Sequence, residues 1–278
     1  MSFRIVVDSC CDLTEELMQG TDFVRVPLTI RSNGNTFVDD ETFDQQALLE
    51  SMRRSEDAPS TSCPSPQNYM DAYGTDAQDV YVVTLSGHLS GSYNCAEQAK
   101  LLMEEEHPEI NVHVFDSCTA AAGESAVAMN IKELALSGLP FERVVEEAKK
   151  FIARKQTMFV LETLENLRKN GRLTKLQAVI TGALKIKLFM GGTPEGEICK
   201  LGQALTIRQA LGKLVDKIVA DPDHEGRIAY LCHCNCPQRA QQLKETILNR
   251  CKFAEVRIVG AAGITTVYAN DGGIVVSY

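Results

Sequence analysis

The stretch DVYVVTLSGHLSGSYNCAEQAK, Asp79 to Lys100, decides how the chain is read. DVYVVTL is an apolar, β-branched run, the pattern of a buried strand. It passes into SGHLSG, a loop of small residues, and then into a long helical segment that ends near His107 and Pro108. Strand, loop and helix form one unit of a strand–helix alternation, and the same unit stands on either side. Upstream, FRIVVD (Phe3 to Asp8) reads as a short buried strand, followed by a polar turn and a small helix from about Thr14. Downstream, VHVFDS (Val112 to Ser117) leads into the Ala-rich helix CTAAAGESAVAMNIKELALSG, with Gly138 placed to end it and Pro140 to begin the next. This alternation predicts an α/β fold: a parallel sheet with helices on both faces.

Between these units FVRVPLTI (Phe23 to Ile30) alternates like one strand, and SNGN after it is turn chemistry. Thr42 and Gln45 have capping-box spacing ahead of the amphipathic helix QALLESMRR. In PSTSCPSP (Pro59 to Pro66), Ser65 is an N-cap and Pro66 suits the first helical position. The pattern changes after about Arg154. TMFVLETLENLRKNGRL predicts a strand, a short helix and a stop at Gly171. ALKIKLFMGGTPEGEICKL predicts two strands joined by a Gly-rich turn. TIRQALGKLVDKIVAD, RIAYLCHC, PQRAQQLKETILNR and FAEVRIVG then alternate helix and strand, and GGIVVSY is a last strand. The expected organisation is an N-terminal α/β domain, residues 1–155, and a C-terminal α+β domain, residues 156–278.

The chain has 278 residues, 44% hydrophobic and 23% charged, as in a soluble globular protein with a full core. Its net charge of −9 argues against a nucleic-acid partner, which calls for a basic face. No apolar run is long enough to cross a bilayer, and MSFRIVVDSCCD lacks the features of a signal peptide. A cytoplasmic location is expected, with the ten cysteines as free thiols.

Ligands of open parallel sheets gather at the carboxyl ends of the strands. Those ends carry Asp8 and Ser9, then Thr61 and Ser62, then Ser86 and Ser90, then Asp116 and Ser117. Hydroxyls at helix entrances suit an anion, which needs donors and no general base. Plain capping explains any one of them equally well. Thr61 and Ser90 together are the stronger signal, because Gly87 and Gly91 let backbone approach a ligand. A serine hydrolase is the competing class. However, Gly87-His88-Leu89-Ser90-Gly91 is G-x-x-S-G rather than the nucleophile elbow G-x-S-x-G. Cys232, Cys234 and Cys236 would share one face of a strand; without a second C-x₂-C pair they read as buried thiols, and no metal is expected. In LRKNGRL, Arg168 and Arg172 are either favourable charge at a helix C-terminus or a docking or anion site.

With these residues in hand the chain resembles the DegV family, bacterial fatty-acid-binding proteins that partner a fatty acid kinase. VVDSCCDLT, TSCPSP, LSGHLSGSYNCA, VFDS, LENLRKNGRL and LKIKLF follow in the family's order. The resemblance implies a two-domain α/β fold with a long-chain fatty acid, such as palmitate, in an apolar tunnel between the domains. Carried over by position, the carboxylate ligands are Thr61 and Ser90, with Ser62, Gly91 and Tyr268 near the head group and Arg168 and Arg172 as partner-docking residues. It also implies a carrier with no cofactor and no catalytic residue; the alternative is a hydrolase or acyl-transfer enzyme using Ser90, and third an anion sensor that binds no lipid. Two positions depart from the family. Tyr268 in YANDGG stands where the family has a His, and Leu205 stands where an Arg is usual. Both bear on phosphotransfer more than on lipid binding.

Overall fold

The computed structural model describes residues 2–173, 176 and 186–278. β1 (Phe3–Asp8) is followed by α1 (Glu15–Met18) and β2 (Asp22–Val26). Next come β3 (Thr29–Ser32), β4 (Asn35–Val38), α2 (Gln45–Arg54), β5 (Ser60–Ser62) and α3 (Pro66–Tyr73). The alternation then runs as β6 (Asp79–Thr84), α4 (Ser92–Glu106), β7 (Asn111–Asp116), α5 (Ala122–Leu136) and α6 (Phe141–Arg154). β1, β2, β6 and β7 form a four-stranded sheet in the order β2-β1-β6-β7, parallel throughout, with Ile5 opposite both Phe23 and Tyr81 and Val82 opposite Val114. α3 and α4 cover one face and α5 the other. This is the α/β architecture expected from the buried runs at Phe3, Asp79 and Val112.

The remaining strands are β8 (Thr157–Val160), β9 (Lys187–Gly192), β10 (Ile198–Ala204), β11 (Ile228–His233), β12 (Glu255–Gly260) and β13 (Ile274–Ser277), with α7 (Glu165–Lys169) after β8. Further helices span Ile207–Val219, Pro237–Arg250 and Gly263–Ala269. The six strands form one mixed sheet, β10-β9-β8-β13-β11-β12, in which β11–β12 is parallel and the other pairs are antiparallel. The two strands expected from ALKIKLFMGGTPEGEICKL are β9 and β10; residues 183–185 of that stretch lie outside the described residues.

α5 joins the two sheets. It packs on β1 and β6 on one side and on β11 and β13 on the other. Its Ala122, Ala126 and Ala128 are fully or almost fully buried, and such small side chains let two sheets approach one helix. A Cβ on Gly123 would collide with the Thr119 hydroxyl. A single apolar cluster therefore runs from Ile5 and Val83 through Val127 to Tyr230 and Val275.

Three local expectations are corrected. FVRVPLTI is not one strand: β2 stops at Val26 and β3 starts at Thr29 in a different, three-stranded sheet, β4-β3-β5. Pro27 has no N–H to continue the ladder, so the chain leaves one sheet there and enters the other. The cap of α2 is Asp44, whose carboxylate accepts from Gln46 N and Ala47 N, while Thr42 bonds to Asp40 instead. Cys234 and Cys236 lie beyond β11, which ends at His233, because Asn235 turns the chain with φ of 52°. By contrast, Ser65 caps α3 as expected, in a capping box with Asn68, and Pro66 is at the first position.

Candidate functional site

The loops at the carboxyl ends of β1, β6 and β7 meet the second sheet, and most of their polar groups serve the fold. Asp8 accepts from Cys10 N (3.0 Å) and Leu85 N (2.9 Å), which ties the first loop to the third. Asp116 accepts from Gly87 N (3.2 Å) and Cys118 N (2.8 Å). Ser9 accepts from Leu28 N, and Ser117 donates to Thr119 O. Ser86 donates to Gly196 O at 2.9 Å and so pins the β9–β10 turn onto the first sheet. For these five residues the capping and loop-bonding role holds.

Between the pinned loops and the second sheet lies a cavity of about 770 Å³, its opening to solvent included. Its wall is mainly apolar, with Leu89, Phe159, Leu161, Ile198, Ile264 and Val275 from both parts of the chain. Charged groups in the wall are Arg172 and Glu197, and Glu197 also stands 3.8 Å from His88.

Part of the wall is polar. The Tyr268 hydroxyl stands 2.7 Å from Thr61 Oγ1. The Arg172 guanidinium lies over the Tyr268 ring, 5.4 Å from its centroid, and Arg172 Nε donates to Leu89 O at 3.1 Å. Burial raises the Tyr268 phenol, against the lowering effects of Thr61 and Arg172, so it is a neutral donor at neutral pH. Asn170 Nδ2 donates to Pro59 O at 2.9 Å, which docks the LRKNGRL stretch on the PSTSCPSP stretch.

The positions picked out from the sequence divide as follows. Thr61, in β5, touches Tyr268, which lines the cavity, but Thr61 does not itself line it. Ser90 follows the lining residue Leu89 but does not line the cavity; its hydroxyl accepts from Ser92 N at 3.2 Å and donates to Ser92 Oγ at 3.4 Å. Among the described residues its hydroxyl has no histidine partner; His88 is exposed and faces Glu197. Ser62 is exposed on β5, and a Cβ on Gly91 would lie 3.1 Å from Cys63 Sγ. Arg168 and Arg172 part company: Arg168 is on the surface in an ion pair with Glu165 (2.7 Å), whereas Arg172 lines the cavity. Leu205 is 72% exposed, away from the cavity wall. Asp271 binds Arg53 and Asn235 at the surface. Cys232 and Cys234 are buried and Cys236 is half-buried, with Cys232 Sγ 3.2 Å from Asp12 Oδ2.

Sequence reading missed a second polar cluster beside the cavity. Asp12 accepts from Ala262 N (2.7 Å) and Thr265 Oγ1 (2.8 Å), and Asp39 accepts from Gly263 N (2.6 Å) and Ile264 N (2.8 Å). Two carboxylates from the first half thus hold the start of the helix that carries Tyr268. The fit admits only Gly at 263, where a Cβ would lie 2.6 Å from Asp39 Oδ1. Burial pushes the Asp8 and Asp12 carboxyls up to about 7. Glu124, fully buried beside Asp8 and Asp12, is raised well above the usual carboxylate range by burial and by those two carboxyls. It is therefore held as the neutral acid. No sequence signal links Asp39 to a glycine 224 residues away.

The whole chain has known relatives. The family model described as "Uncharacterised protein, DegV family" matches residues 2–278. A DegV domain-containing protein of Streptococcus gordonii is 32% identical over 280 residues, covering 100% of this chain and 99% of the relative. The crystal structure of a DegV-family protein from Ruminococcus gnavus, refined with vaccenic acid, is 42% identical, with a TM-score of 0.96 and 100% of both chains covered. The Streptococcus pneumoniae Fatty Acid Kinase (Fak) B3 protein, loaded with linoleic acid, is 32% identical, with a TM-score of 0.91 and 100% and 99% of the chains covered. Sequence and backbone agree from one end to the other: the chain belongs to the DegV family.

Proposed function

We propose that this protein is a carrier that binds a long-chain fatty acid, with the carboxylate at the Thr61–Tyr268–Arg172 end of the cavity and the tail along the apolar wall. The observation that carries this reading is a mainly apolar cavity whose wall includes the Arg172 guanidinium stacked on Tyr268. The cavity is concave and mainly apolar with a few polar groups, the character of a small-molecule site. The similar proteins refined with vaccenic acid and loaded with linoleic acid support the choice of ligand. Each buried CH₂ is worth ~0.8 kcal/mol, so a long tail supplies on the order of 10 kcal/mol before ordering costs. A carboxylate buried without a cation is costly, and Arg172 offsets that cost. Ser90 joins the head group by exchanging its long bond to Ser92 Oγ for one to the ligand. In this reading the cavity sits at the junction of two domains, residues 1–155 and 156–278, and no residue is catalytic. Among the described residues no helix is long and apolar enough to cross a membrane, which supports a cytoplasmic carrier. Mass spectrometry of an organic extract from the denatured protein tests the reading. A stoichiometric long-chain fatty acid is expected; an empty extract together with no saturable binding of palmitate or oleate would sink it.

A fatty acid kinase is the proposed partner, and this chain is expected to serve it poorly. An acyl phosphate carries more negative charge than the acid. Tyr268 stays neutral where a His carries positive charge. With a fatty acid kinase and ATP, Tyr268→His should raise a low rate of acyl phosphate formation. A wild-type rate equal to that of a relative with the His contradicts this expectation.

A further inference from the structure

Cys63 and Cys95 lie on the two stretches that carry Thr61 and Ser90. Cys63 follows β5 directly, and Cys95 is in the first turn of α4. Their sulfurs are 4.0 Å apart. The Cys63 thiol rests on the turn that holds Ser90, since a Cβ on Gly91 would stand 3.1 Å from Cys63 Sγ.

We propose that Cys63 and Cys95 form a reversible disulfide that ties the Thr61 loop to the Ser90 loop. A disulfide needs its sulfurs ~2.05 Å apart, so the gap must close by about 2 Å. Both residues are half-buried, within reach of a small oxidant. Cys10, Cys11 and Cys232 differ: all three are buried, and burial raises their thiols well above the usual value, which leaves them inert. Burial and the neighbouring Cys63 also raise the Cys95 thiol.

The oxidant is a low-molecular-weight disulfide. The Cys63 thiolate attacks one of its sulfurs, forming a mixed disulfide and releasing one small thiol. The Cys95 thiolate then attacks the Cys63 sulfur, closing the bond and releasing the second thiol. The two protein protons leave on the two released thiols, and the two electrons of the protein sulfurs reduce the oxidant. The consequence rests on the fatty-acid reading above. With the two loops tied, the donors Thr61 and Ser90 separate less readily, and the carboxylate leaves more slowly.

The test uses the full chain, incubated folded with oxidised glutathione, alkylated and mapped by peptide mass. One intramolecular link, Cys63 to Cys95, is expected, reversed by dithiothreitol. Displacement of a fluorescent fatty acid by oleate is then timed. It should be severalfold slower in the oxidised wild type than in the reduced one, with no such difference in Cys95→Ser. A link between other cysteines, or glutathione retained on Cys63 without closure, overturns the disulfide. Equal displacement rates with the link formed overturn its control of exchange. If neither form binds fatty acid, the functional reading fails while the peptide map still decides the disulfide.

Discussion

Two polar clusters flank the helix Gly263–Ala269, and their hydrogen-bonding balance is opposite. At its far end Tyr268 meets Thr61 and Arg172, a group of two hydroxyls and a guanidinium that has no carboxylate hydrogen-bonded to it among the described residues. At its start Asp12 and Asp39 meet the backbone N–H groups of Ala262, Gly263 and Ile264 and the Thr265 hydroxyl, and their oxygens are taken up by the protein itself. The first cluster has donors in excess and suits an incoming anion. The second supplies its own anions internally and fixes the helix that presents Tyr268. Polar content therefore does not identify the binding end; the balance of donors and acceptors does.

The comparison breaks most sharply at Asp39. Asp39→Ala leaves two buried N–H groups without acceptors, and should cost on the order of 2–5 kcal/mol of stability. Urea unfolding reads this directly, and a loss below about 1 kcal/mol means the helix start is held by something else. At the other cluster Thr61→Val should leave stability nearly unchanged and weaken fatty-acid affinity by roughly 1.5–3 kcal/mol, the loss of one donor to a charged acceptor. Titration with oleate decides it; unchanged affinity moves the head group away from β5.

The two clusters should also differ in pH response. A carboxyl whose folded pKa is raised stabilises the fold fully below its unfolded value, and that stability is lost as pH rises through the folded value. For Asp8 and Asp12 the window runs from the ordinary 3.8 to about 7, and for Glu124 it extends higher. Wild-type protein should therefore lose stability relative to Glu124→Gln between pH 5 and 8, by at most ~1.4 kcal/mol per pH unit for one proton. Parallel stability curves for the two proteins would show that Glu124 does not titrate with folding. The smallest effect is expected at Ser90. Its hydroxyl already serves Ser92, so Ser90→Ala should weaken oleate binding by only ~0.5–1.5 kcal/mol. A loss larger than that of Thr61→Val would make Ser90 the principal ligand.

Legibility in the sequence followed the physics of each element. FRIVVD, DVYVVTL and VHVFDS are continuous apolar runs, and β1, β6 and β7 formed where those runs predicted them. The three-stranded sheet was hidden. Its β5 is Ser-Thr-Ser, which has no apolar face, and is held by backbone pairing of Ile30 with Thr61. Arg168 and Arg172 are indistinguishable in LRKNGRL, and only the turn after α7, where Gly171 has φ of 76°, sends one outward and the other into the cavity. Tyr268 was legible through the family resemblance alone. Asp12 and Asp39 were not legible, because long-range pairing of a carboxylate with backbone N–H groups leaves no local pattern.

The central claim is that the Thr61–Tyr268–Arg172 end takes a carboxylate while the wall takes a tail. Titration of delipidated protein with oleate and with methyl oleate, which have the same tail and differ in head-group charge, tests this most directly. Saturable oleate binding at micromolar concentration or tighter is expected, with binding of the ester at least about tenfold weaker, a gap of ~1.4 kcal/mol or more. Equal affinity for acid and ester, or no saturable binding of either, would contradict it.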